Sequence, residues 1–386
     1  MTSVDITSKV RNKVIVIGTD HYNTLGVVRS LGEKGIPIYL ILIAQKEAFV
    51  NKSKYVTQRW LVDSSEKGIL DILIRNFNNE KYKPIIIPTS DFAVKIIDDN
   101  LDMLKAKYIT PNIKNTQGKI TKLMNKKTMN EIAIKSGLTV PKTWEIFLNN
   151  QYRFPDELTF PCIVKPVCSV EGKKEDIVVC KNQLALKNNL FKLKNSYNRV
   201  LIQEYVDGED AIMVNIAGYI AINRHIILPA IIEKVREYPL NTGSTSYAKA
   251  VKSSVYVKNV NKIYGFLSNL GYSGLFDIDF KFAKNKLYFI EINFRNGASG
   301  YALTKAGVNL PYLWYLEASG LNIDKFKNEI DKDFYFMMEF MDIRHVLNGD
   351  VKVITWLKDL IRTRSFLFIN LKDMKPLLFK FSKIFT

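Results

Sequence analysis

Cysteine and histidine are what this sequence has least of. Cys162, Cys168 and Cys180 are odd in number and show no C-x-x-C spacing, while His21, His225 and His345 are scattered over 386 residues. Such thiols argue against a disulfide framework and against a zinc site, and suit a reducing compartment. Histidines that far apart give no support to a His-based catalytic centre. No apolar run approaches the roughly 20 residues of a membrane-spanning helix, and the longest, Ile36 to Ala44, reads as a buried strand. Residues 1–13 are polar and lack an apolar h-region, so no secretory signal is expected. Gly18 and Gly26 do not spell G-x-G-x-x-G, which removes the dinucleotide fingerprint.

What the chain does have is length for two or three domains and a formal net charge of +18. That excess favours polyanionic partners: nucleotides, anionic lipid surfaces, acidic sugars or nucleic acid. Charge alone does not choose among them.

The N-terminal part predicts an α/β layer. Lys13 to Gly18 and Ile36 to Ile43 are continuous apolar runs of the buried parallel-strand kind. Between them, Leu25 to Lys34 has helical spacing, and Tyr82 to Pro88 supplies a later strand, giving a Rossmann-like unit. Asp20 and Asp91 follow strands and are candidates for substrate groups offered from the strand ends, with helix capping the preferred role of each. Further on, a basic helix contains Leu123 to Lys127, Phe160 to Pro166 is a short strand carrying Lys165, and Arg199 to Tyr205 is another.

Residues 274–300 organise the rest. Asp277 to Phe282 and Leu287 to Asn293 alternate polar and apolar, with turn chemistry between them at Ala283 to Lys286. Folding about Asn285 sets Asp279 opposite Glu291 and Asp277 opposite Asn293. One face then carries those four residues, and the other carries Ile278, Phe280, Phe282, Tyr288, Ile290 and Ile292. Three carboxylates and a carboxamide on one rigid face predict a divalent cation shared with a nucleotide's phosphates.

The ordered series of motifs resembles the ATP-grasp superfamily. It runs from a Met124-Asn125-Lys126 helix start through the Val164-Lys165-Pro166 strand and the Ser/Gly/Lys loop 168–174. It continues with Ile202-Gln203-Glu204-Tyr205-Val206-Asp207-Gly208-Glu209-Asp210 and finishes with Asp279-x₁₁-Glu291-x-Asn293-x-Arg295. Within that superfamily the chain is most similar to D-aspartate ligases and short carbamoyl-phosphate-synthase-like proteins. The resemblance implies an α/β fold (α+β in the catalytic part), with a Rossmann-like pre-ATP-grasp domain at 1–115. A two-lobed ATP-grasp domain at 116–322 follows, its lid lobe at about 125–205 and its metal lobe at about 206–322. Residues 323–386 form an aromatic, basic C-terminal extension.

The resemblance also implies site roles. Lys126 and Lys165 neutralise the nucleotide phosphates, and Ser169, Gly172 and Lys173 close over them. Gln203, Glu204 and Val206 read adenine, with the Gln203 amide oxygen accepting from its amine, and Asp210 takes the ribose. Asp279, Glu291 and Asn293 ligate Mg²⁺ (or Mn²⁺), Arg295 clamps the transferred phosphoryl group, and Lys165 and Arg295 are the catalytic pair. Lys234, Arg236 and Ser244, in a polar loop spanning Glu233 to Ser246, are substrate candidates beside Asn296 and Ser299.

The implied reaction is ATP-dependent activation of a small carboxylate as an acyl phosphate, then capture by an amine, with an amino acid and a cell-envelope precursor as the first pair to consider. An ATP-dependent carboxylase or carbamoyl-phosphate-forming enzyme, and a non-catalytic nucleotide or polyanion binder, stay open as alternatives. A large anionic acceptor and a homodimer fit the charge and the family, and nucleic acid is not expected. A cytoplasmic location, peripheral to the inner membrane face, is the matching expectation. Leu377 to Phe385 sets lysines between apolar residues, as an interfacial segment would, although packing against the catalytic domain is preferred.

Overall fold

Strands buried on both faces read as unbroken apolar runs, and the N-terminal sheet is built from them. The computed structural model describes residues 11–148, 153–168, 176–208, 211–240 and 243–383. Four parallel strands lie in the spatial order Val56–Val62, Ile38–Ile43, Val14–Thr19, Ile85–Pro88. Val14 and Val16 pack into one core, whereas Ile15 and Ile17 face a second core on the opposite side. Helices Tyr22–Gly32 and Asp91–Asp99 begin just past two of these strand ends. Their caps are His21, whose Nδ1 accepts from the Asn23 N–H, and Ser90, whose hydroxyl accepts from Ala93 N–H. The capping expected of Asp20 and Asp91 is thus supplied by the neighbouring residues. Asp20 instead accepts from Val50 N–H at 3.0 Å.

A second sheet of nine strands among the described residues holds the acidic hairpin, Tyr272–Ala283 with Lys286–Asn293, at one edge. The pairing sets Asp277 opposite Asn293 and Asp279 opposite Glu291, as the alternation predicts. Lys284 and Asn285 both adopt left-handed φ, of 51° and 58°, the backbone that a two-residue hairpin turn requires. One part of the pattern is corrected. A register shift after Asp279 pairs Phe280 with Phe289, so Leu287 and Phe289 enter the core and Ile290 lines the cleft. A bulge inserts one unpaired residue and reverses the phase beyond it.

The polar stretch expected as a loop is sheet. Ile231–Tyr238 and Ser244–Val251 are antiparallel partners beside Ile212–Ile220. Phe334–Met337 and Thr363–Phe366 extend the same sheet, which places part of the C-terminal extension inside the main body. Arg29 is fully buried and donates to Asp373 Oδ2 at 3.0 Å and to the Phe368 carbonyl at 2.7 Å. Leu367, Phe368 and Leu377 share a core with Val14 and Val16.

A third, antiparallel sheet has the order Thr143–Phe147, Arg199–Glu204, Cys162–Pro166, Val178–Cys180. It closes over the helix Gln183–Leu193 through Leu186, Leu190 and Leu193.

Candidate active site

A cleft of about 500 Å³ opens where the three sheets meet. The N-terminal strand ends contribute Thr19, His21, Tyr22, Thr89, Ser90 and Asp91 to its wall. The acidic hairpin faces them with Asp277, Asp279, Glu291 and Asn293, and Arg295 follows directly.

Two of the three hairpin carboxylates have a cation. Asn125 caps the helix Lys126–Lys135 and so fixes Lys126 in its first turn, where the ammonium meets Glu291 at 3.1 Å. Lys126, ahead of Lys165, holds the Glu291 carboxyl down to about 2 against the desolvation of its site. Asp279 pairs with Lys234 at 3.0 Å. Burial works to lower the Lys234 ammonium, but Asp279 carries it above the ordinary lysine value. Asp277 is driven the other way, raised by burial and then by the Asp279 charge. Its Oδ1 is buried without a hydrogen-bond partner and lies where a side chain at position 297 would stand, 2.1 Å from the Cβ that Gly297 lacks.

Lys165 is buried behind this face and donates to Gln203 Oε1 at 2.9 Å. Desolvation, helped by the Lys126 charge and opposed by Glu291, brings its ammonium down to about 7. The Gln203 amide group is therefore held between Lys165 and the Thr143 hydroxyl, to which Nε2 donates at 2.9 Å. The amide oxygen expected to accept from adenine thus also accepts from Lys165. Glu204 accepts from Lys142 N–H at 3.1 Å, and Glu204 and Val206 lie outside the cleft wall.

Arg295 comes within reach of the N-terminal layer. Its Nε donates to Asp91 Oδ1 at 2.8 Å, and Nη2 donates to Asp91 Oδ2 at 3.3 Å. Burial disfavours the guanidinium charge, yet Asp91 pushes it above its already high ordinary value. A bidentate carboxylate fixes the plane of the fork, which a lysine could not offer.

Of the substrate candidates, Lys234, Ser244 and Ser299 line the cleft. Arg236 does not. Its guanidinium binds Asp342 and Asp359 at 2.8 and 2.6 Å on the far side of the sheet, because a register shift separates it from Lys234. Asn296 is likewise withdrawn, donating to Asn23 Oδ1 at 2.7 Å in a buried contact between layers. Ser169, Gly172, Lys173 and Asp210 lie outside the described residues.

Residues 124–299 match the ATP-grasp domain family. The chain carries an ATP-grasp domain. It is 22% identical to the D-aspartate ligase of Enterococcus faecium over 77% of this chain and 74% of that protein. It is 28% identical to the D-alanine–D-alanine ligase of Pelagibacter ubique over 47% of this chain, spanning 60% of that relative's length. Among solved structures, an L-amino acid ligase from Bacillus licheniformis superposes with a TM-score of 0.66 at 17% identity, covering 84% of this chain and 79% of its own. The fold is thus that of mixed α/β ATP-grasp ligases.

Asn215 is among the cleft residues of the ATP-grasp domain that the sequence pattern did not single out. Asn215 stands opposite Asp279 on the next strand and donates to its Oδ1 at 3.3 Å. Met213 and Asn215 fall at alternate positions of one strand and both line the cleft. The signal lay in a polar residue two places beyond Met213 in an otherwise apolar strand.

Proposed function

We propose that the protein is an ATP-dependent ligase that activates a small carboxylate as an acyl phosphate and joins it to an amine. One observation carries the reading: two carboxylates and a carboxamide confront Lys126 and Arg295 across a single cleft, with Lys165 just behind. In such a reaction a carboxylate oxygen attacks the γ-phosphorus of ATP and ADP leaves. The amine then attacks the acyl carbon, phosphate departs, and the amine proton passes to solvent. Lys126 and Lys165 would hold phosphate oxygens, and Arg295, oriented by Asp91, would receive the charge on the transferring group. No protein nucleophile is required.

Mg²⁺ or Mn²⁺ fits the donors present. Asp279, Glu291 and Asn293 offer hard oxygens on one rigid hairpin, and the unpartnered Asp277 Oδ1 leaves acceptor capacity beside them. No group of three His, Cys, Asp or Glu side chains stands in a metal-binding array among the described residues, so the third donor would be the Asn293 amide oxygen. When bound with the nucleotide, such a cation neutralises charge in the in-line transition state.

The amino acid and the anionic acceptor are the finer part of the proposal. The +18 charge supports a large anionic acceptor, and similarity to a D-aspartate ligase makes an amino acid the first carboxylate to offer. The test is a phosphate-release screen with ATP, Mg²⁺ and paired carboxylates and amines. Release that requires both partners is expected. Release that needs bicarbonate and ignores every amine would replace this reading with a carboxylase.

A further inference from the structure

The helix Val353–Arg362 is turned inside out. On helical spacing, Val353, Ile354, Leu357 and Ile361 share an arc of about 100°, and all four are exposed, at 59, 65, 45 and 85%. Asp359 and Trp356, off the arc, face the protein. Asp359 pairs with Arg236 at 2.6 Å, and Trp356 donates its indole N–H to Asp342 at 3.0 Å. Buried Asp342 is further bound by Arg236 and by the Ser246 hydroxyl at 2.7 Å. These ion pairs and hydrogen bonds fix the orientation, so the helix cannot roll its apolar face inward without stranding buried charges.

An apolar arc held outward against the hydrophobic effect marks an interaction surface. Leu347, at the end of the preceding helix, is exposed too, at 76%. The charges around the arc select the partner. Lys352, Lys358 and Arg362 are exposed on this segment, and Asp359, the sole acid from Val351 to Phe366, is turned inward. We propose that this helix lies on an anionic phospholipid surface, its aliphatic arc entering the headgroup boundary and its lysines and arginine contacting lipid phosphates. A second copy of the chain fits less well, since pairing the arc with itself would gather Lys358 and Arg362 of both copies with no exposed acid of the arc between them. Among the described residues no helix is long and apolar enough to cross a membrane, and an interfacial helix needs none. The inference does not depend on the ligase reading.

The test is co-sedimentation of the full chain with phosphatidylcholine vesicles, with and without phosphatidylglycerol. Binding is expected with the anionic vesicles and not with the neutral ones. Both Ile361→Glu and the pair Lys358→Glu with Arg362→Glu should weaken it by about tenfold or more, while thermal unfolding stays at the wild-type midpoint because these side chains are exposed. Equal binding to neutral and anionic vesicles, or none to either, would overturn the proposal. So would a dimer, seen by sedimentation without lipid, that Ile361→Glu dissociates, since that result assigns the arc to a second copy.

Discussion

Lys234 and Arg236 sit two residues apart on one strand and belong to ion clusters of opposite character. Arg236 closes a sealed cluster. Asp342 and Asp359 receive its guanidinium, Trp356 and Ser246 supply further bonds, and the Tyr247 ring lies 4.4 Å from the guanidinium carbon. Lys234 belongs to an open cluster beside the cleft, where Asp277 Oδ1 is left without a hydrogen-bond partner and the ammonium holds Asp279 within reach of solvent and ligand. Burial and charge are present in both. What separates the sealed network from the open one is whether its groups have spent their hydrogen-bonding capacity on one another.

Substitutions can break that contrast. The largest effect is expected for Glu291→Gln, which should lower phosphate release by about a thousandfold, the several kcal/mol of metal-assisted charge stabilisation, while circular dichroism remains native. Wild-type turnover in a folded variant would remove Glu291 from the reaction. Arg236→Ala should do the reverse. Loss of one partner from a sealed ion cluster costs roughly 3–5 kcal/mol of stability, measurable by urea unfolding, while folded enzyme retains its ATP affinity.

Lys165→Met should weaken nucleotide binding by about tenfold, read by calorimetric titration. The wild type adds a pH signature. Its Lys165 ammonium sits at about 7, so below that pH the cation is already present. Above it, binding a phosphate requires proton uptake, and ATP affinity should fall from pH 7 to pH 9. The variant should lose this slope. Asp91→Asn should have an effect of similar size but on a different quantity, roughly a tenfold drop in kcat with ATP affinity unchanged, because it loosens the Arg295 fork without removing it. An equal loss in nucleotide binding would show that Asp91 does more than orient that side chain.

The hairpin was legible because its information is local. Period-2 alternation and the turn at Lys284 and Asn285 are enough to pair Asp279 with Glu291. The bulge after Asp279 was not legible, since an inserted residue changes the phase without a distinctive residue type. Glu233 to Ser246 looked like a loop for a related reason: its charged side chains serve two ion clusters, and its own register shift breaks the alternation. Asp91 carried an ordinary capping signal, and nothing near it in the chain announces Arg295, 204 positions away.

By itself, then, the sequence determined the strand and helix types, the ordered ATP-grasp motifs and the carboxylate face of the hairpin. These follow from local periodicity, caps and turn backbone, which act over a few residues. Tertiary structure alone decided that Arg236 would be sealed under Asp342 and Asp359, that Asp91 would hold Arg295, and that Val353 to Ile361 would face outward. Each of those outcomes depends on burying a charge only where a distant partner neutralises it, and that partner is set by how the layers pack.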